Sequence, residues 1–131
     1  MALTWPAEIE LLRDLVATPS VSGSEEAVGR LVERTMESWG LGVVRDAAGV
    51  RVEVRGKAPG PTLAFVSHLD VVPPGEGWTR DPFQPSIEEG RLYGRGSGDA
   101  KASVAAMLHA ARDVADARGP QWRKVIFNAA T

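Results

Sequence analysis

The stretch Thr62-Leu-Ala-Phe-Val-Ser-His68 is almost unbroken in apolar residues, and a loop rich in Pro, Gly and Trp follows it. A run this short without polar alternation predicts a strand buried on both faces, the kind found in parallel sheets covered by helices. A second run, Lys124-Val-Ile-Phe-Asn128, has the same character. Between and before these runs the apolar period is helical. Ile9, Leu12, Leu15 and Val16 mark an amphipathic helix over Glu8–Ala17 that Pro19 stops. Ser22-Gly-Ser-Glu25 has the form of a capping box that opens a second helix with Val28, Leu31, Val32, Thr35, Met36 and Trp39 on its apolar face, closed at Gly40. Val104, Met107, Leu108, Ala111 and Ala115 define a third helix over Ala100–Arg118, ended by Gly119-Pro120. Two hairpins complete the pattern, Gly42–Asp46 with Val50–Arg55 around Ala47-Ala48-Gly49, and Ser86–Tyr93 turning at Glu89-Gly90. The expected fold is α/β, a partly parallel mixed sheet with flanking helices.

Composition narrows the function. A chain of 131 residues has room for one domain, and Gly and Pro cluster between Pro59 and Gly98, where an elaborate loop region is expected. Fifteen Lys and Arg against seventeen Asp and Glu give a net charge of −2 with no basic cluster, which argues against nucleic acid and anionic membrane surfaces as partners. There is no cysteine, so disulfides, thiolate metal sites and cysteine nucleophiles are excluded. The first ten residues are acidic and carry no apolar leader, and no later run is long enough to cross a bilayer, so a cytoplasmic location and no membrane contact are expected.

The apolar strand from Thr62 delivers His68 and Asp70 to its carboxyl end, where sites form in open α/β sheets, and period-two alternation places them on one side. An imidazole with a carboxylate two residues on can bind a metal while the carboxylate fixes its tautomer; the same pair also describes a strand-end histidine that only hydrogen-bonds its neighbour. Asp99 follows Gly94-Arg-Gly-Ser-Gly98 and precedes a helix, where a carboxylate is most simply a helix cap. The glycines do not make a phosphate cradle: a dinucleotide fingerprint would need a third small residue where Asp99 stands. Ser97 is no hydrolase nucleophile, since Arg95 occupies the first glycine position of an elbow. His109 is expected on the solvent face beside Asp113, Trp78 and Phe83 as anchors of the long loop, and Arg95 and Lys101 as solvated or paired charges.

Taken together, Ser67-His-Leu-Asp-Val-Val-Pro-Pro-Gly75, Trp78-Thr-Arg-Asp-Pro-Phe83 and Gly90-Arg-Leu-Tyr-Gly-Arg-Gly-Ser-Gly-Asp-Ala-Lys101 resemble the zinc-dependent aminoacylase and carboxypeptidase family that includes acetylornithine deacetylase and succinyl-diaminopimelate desuccinylase. The resemblance implies that His68 is a ligand to one metal, Asp70 the acidic partner that orients it, and Asp99 the carboxylate bridging two zinc or cobalt ions, joined to Ala100 by a cis peptide. It implies metal-assisted hydrolysis of the amide bond of N-acyl amino acids or short peptides, with a glutamate as general base. Residues 1–131 would then be the N-terminal portion of an incomplete zinc-peptidase-like catalytic domain. The general-base glutamate, the later ligands and the lid domain through which full-length relatives form homodimers have no counterpart here, so the chain alone is expected to be inactive and to bind zinc weakly. A non-catalytic remnant or partner-binding α/β module is the alternative.

Overall fold

A computed structural model describes residues 5–57, 59–117 and 124–131. Helix α1 spans Ala7–Ala17 and α2 Glu26–Ser38; strands β1 (Val43–Asp46) and β2 (Gly49–Arg55) form the first hairpin; β3 spans Thr62–His68; β4 (Ser86–Glu88) and β5 (Arg91–Tyr93) form the second; α3 spans Lys101–Asp116 and β6 Lys124–Ala130. The sequence pattern predicts every one of these elements to within a few residues. The expected helix end at Gly119-Pro120 lies outside the described residues.

The main sheet has the order β1-β2-β6-β3. β1 with β2, and β2 with β6, are antiparallel, while β3 runs parallel to β6 with Phe65 opposite Phe127 and His68 opposite Ala130. The sheet is therefore mixed and partly parallel, as expected. α1 packs on α3, α2 lies on β1 and β2, and α3 lies on β2, β6 and β3. Leu12, Leu15, Val28, Val32, Met36, Val104 and Leu108 from the helices share one core with Val50, Val52, Val125 and Phe127 of the sheet. The β4–β5 hairpin turns through Glu89 and Gly90 at φ 50° and 76°, the left-handed pair a two-residue turn demands. Among the described residues no helix is long and apolar enough to cross a membrane.

Several expectations fail for tertiary reasons, three of them in the fold itself. β3 is not buried on both faces: Leu63, Phe65 and Val66 are 36%, 46% and 67% exposed, because β3 is the edge strand of this sheet. Burial alternates along β6, which shows that the helices cover one face. Ser22-Gly-Ser-Glu25 is not a capping box, for α2 begins at Glu26 behind an N-cap, Glu25, that makes no side-chain cap bond. The Glu25 carboxylate instead accepts the Gly23 N–H at 2.7 Å, and Ser22 bonds elsewhere. His109 is not on the solvent face; it is 4% exposed, donates from Nδ1 to the Ala105 carbonyl at 3.0 Å and packs on Trp39 with ring centroids 4.8 Å apart. Trp39 just beyond α2 covers a face of α3 that the helical period by itself leaves open.

Candidate metal centre

The site forms where β3 leaves the sheet. The Leu69 N–H extends the parallel pairing by donating to Ala130 O at 2.8 Å, and the Leu69 side chain is wholly buried. With Leu69 anchored in the core, alternation turns His68 and Asp70 to the same side. His68 Nδ1 lies 3.1 Å from both the main-chain carbonyl and Oδ1 of Asp70. The other ring nitrogen, Nε2, lies 3.0 Å from Asp99 Oδ1.

Asp99 reaches this position through the glycine-rich turn. Gly96 sits at φ 85°, and a Cβ there would come within 2.6 Å of Val71 Cγ1, so the loop passes closer to the strand end than any side chain allows. The Asp99–Ala100 peptide is cis, as the resemblance implies. The N-cap of α3 is Ala100, without a side-chain cap bond, so Asp99 is not a helix cap. Its side chain is 92% exposed and faces a cavity of about 240 Å³ that His68, Asp70, Arg95 and Ser97 also line.

Two carboxylates, Asp70 and Asp99, face the one imidazole of His68. Burial lowers the pKa of His68, but the contacts to Asp70 and Asp99 and their negative charges outweigh it, and the net shift is upward. The Asp70 carboxyl is held below the usual carboxylate range, first by the Ser22 hydroxyl donating to Oδ2 at 2.6 Å and then, against the opposing effect of burial, by the positive charge of His68. A neutral imidazole has one N–H for two acceptors. With that N–H given to Asp70, the Nε2 lone pair and the Asp99 carboxylate face each other, and the mismatch is relieved by a proton or by a metal cation in its place. An imidazole nitrogen with a carboxylate oxygen is a donor pair suited to zinc and its neighbours. Among the described residues no group of three or more His, Asp or Glu converges on one point, so His68 and Asp99 fit as part of a ligand set.

Two more residues belong to this region. Ser22 was expected to cap a helix and in fact holds Asp70. Lys101, expected to be solvated or paired with an acid, is wholly buried and donates from Nζ to the carbonyls of Leu15 at 2.6 Å and Thr18 at 2.9 Å. Neither role is visible in sequence, because each partner lies tens of residues away. Trp78 secures the long loop as expected, its indole N–H donating to Pro74 O at 2.8 Å, while Arg95, expected to be solvated or paired with an acid, reaches the same carbonyl at 3.3 Å with its guanidinium over the Trp78 ring. Phe83 is half-buried in the same loop.

The model of peptidase family M20/M25/M40 matches residues 64–130, the segment that carries all three site residues. A succinyl-diaminopimelate desuccinylase from Rhizorhabdus wittichii is 40% identical over 119 residues, which cover 85% of this chain and 31% of the relative. The M20 metallo-carboxypeptidase Sso-CP2 from Sulfolobus solfataricus superposes with a TM-score of 0.82 at 26% identity, over 96% of this chain and 31% of that one. The Bacillus subtilis YXEP protein, a dinuclear metal-binding peptidase, shares the fold with a TM-score of 0.68 at 24% identity, over 93% of this chain and 34% of that one. The chain thus spans about a third of the length of these relatives. With the family model matched over more than half of its residues and the fold shared with a metallo-carboxypeptidase, this chain belongs to peptidase family M20/M25/M40.

Proposed function

We propose that this chain is the N-terminal portion of the catalytic domain of a cytoplasmic, metal-dependent hydrolase that cleaves the amide bond of N-acyl amino acids or short peptides. The observation that carries this reading is the approach of His68 Nε2 to Asp99 Oδ1 at 3.0 Å, with Nδ1 engaged by Asp70. His68 and Asp99 would hold the metal and Asp70 would set the tautomer and direction of the imidazole. The ions, two zinc or cobalt, would supply Lewis acidity toward the scissile carbonyl and lower the pKa of the attacking water. Asp70 would keep a proton on Nδ1 and so leave the Nε2 lone pair for the cation. Asp99, whose side chain is 92% exposed on its loop, would be the carboxylate that holds both ions. Identity to a desuccinylase favours acylated amino acids as substrates.

A general base is needed to take the proton of the attacking water, and no carboxylate other than Asp70 and Asp99 lines this cavity among the described residues. The 131-residue chain alone is therefore expected to be inactive. The test is chelator-sensitive hydrolysis of N-succinyl and N-acetyl amino acids, run beside the intact mass of the endogenous polypeptide. A polypeptide well above 14.0 kDa should hydrolyse such substrates, and the 131-residue chain should not. Turnover by the short chain would overturn the claim of a missing base. A longer polypeptide, loaded with zinc or cobalt and still inert toward acyl amino acids and dipeptides, would overturn the hydrolase reading.

A further inference from the structure

The two proposed ligands come from different parts of the chain, one at a strand end and one on a loop before a helix, and a third segment touches both supports. This segment is the connection between α1 and α2. On one side it lies along the strand exit: Val21 and Val71 form a parallel bridge, Val71 N donates to Ser20 O at 2.9 Å, and Ser22 N donates to Val71 O at 3.0 Å. The wholly buried Ser20 hydroxyl donates to Leu69 O at 2.7 Å, and the Ser22 hydroxyl takes Asp70 Oδ2, which leaves Oδ1 for His68. On its other side the same connection receives Lys101. The ammonium binds the carbonyls of Leu15 and Thr18, while the Lys101 main-chain N–H donates to Gly96 O at 2.9 Å. Lys101 follows Asp99 by two residues, so a clamp on its side chain fixes the backbone that carries the carboxylate.

A buried ammonium is a costly way to fill space. Lys101 forms no ion pair among the described residues, and an apolar side chain of similar length would fill the same volume without losing hydration. What the ammonium adds is direction: two donors aimed at two carbonyls at the end of α1, those of Leu15, which also accepts the Thr18 N–H at 3.3 Å, and of Thr18.

We propose that the connection from Thr18 to Ser22 is a brace that sets the separation of His68 and Asp99, with Ser22 and Lys101 as its positioning residues. The proposal rests on the reading of His68 and Asp99 as metal ligands, and the test separates the two.

The 131-residue chain carries only two histidines, His68 and the buried His109, so a zinc titration followed by the imidazole signals in a carbon-correlated NMR spectrum reads the site directly, with His109 as internal reference. Ser22→Ala and Lys101→Met should each weaken zinc binding at His68 by about 10-fold, the usual cost of losing an outer-shell support. Ser22→Thr, which keeps the hydroxyl, should bind as the parent does. Val54→Ala removes a buried methyl pair at the end of the sheet remote from His68 and should leave the affinity unchanged. Unchanged affinity in both Ser22→Ala and Lys101→Met, or an equal loss in Val54→Ala, overturns the brace; if Lys101→Met does not fold, the Ser22→Ala and Ser22→Thr pair decides alone. Asp99→Ala with undiminished zinc binding at His68 overturns the ligand reading and the brace with it.

Discussion

His68 Nε2 and Asp99 Oδ1 lie 3.0 Å apart although 31 residues separate them in sequence. The strand end fixes one atom and the glycine-rich turn the other, so each responds to substitutions in a different part of the fold.

The first expectation concerns the metal. Zinc binding by the isolated chain, measured by calorimetry, should be weak, should vanish in His68→Ala, and should fall 10- to 100-fold in Asp70→Asn, which loses the charge that supports the imidazole. Protons compete for Nε2. The net rise of the His68 pKa means that this competition begins at higher pH than for an unperturbed histidine, so affinity should fall progressively as the pH is lowered from neutral into the acid range. Affinity flat across that range would count against Nε2 as a ligand.

A second expectation concerns Lys101. Burial lowers its pKa from 10.5 to about 8, so the folded chain releases this proton earlier than the unfolded one does. Between about pH 8 and about pH 10.4 the unfolded state binds more protons, and the Lys101 contribution to stability rises with pH over that window. Below about pH 8 the charged form is present in both states and the penalty is constant. Urea midpoints across this range should therefore climb more for the parent than for Lys101→Met, and parallel curves would contradict the assignment.

Gly96→Ala should destabilise the fold by about 1–3 kcal/mol, since the new methyl must displace Val71 and the backbone sits in a left-handed region. Because Gly96 also accepts the Lys101 N–H, the same variant should weaken zinc binding. Thermal unfolding and zinc titration of one preparation check both effects.

The free edge of β3 should make the isolated chain associate with itself. Val66 is 67% exposed on an edge strand that offers unpaired main-chain groups, and neighbouring Phe65 is only half covered by Phe127. Sedimentation velocity should show the weight-average mass rising with concentration, and Val66→Lys should suppress the rise. A concentration-independent monomer for the parent would mean that the edge is protected.

Much of the fold was legible in local pattern. The helical period placed α1, α2 and α3, alternation placed the β1–β2 hairpin, and Glu89-Gly90 marked the turn between β4 and β5, since each depends on residues within a few positions of one another. The same logic put His68 and Asp70 on one side of a strand end, and the motif resemblance singled out Asp99 and its cis peptide.

Sequence by itself determined the elements and the chemical types at the site. Tertiary structure alone decided which of them meet. An apolar run reads the same at the centre and at the edge of a sheet, so only the strand order β1-β2-β6-β3 left Phe65 and Val66 in the open. A serine ahead of a helix is a cap by local rules, until a carboxylate from 48 residues away takes its hydroxyl. A lysine is a surface residue by composition, until carbonyls 86 and 83 residues away surround its ammonium. Local periodicity carries no information about partners so distant, because the energy of a buried polar group is set by what the fold brings to it.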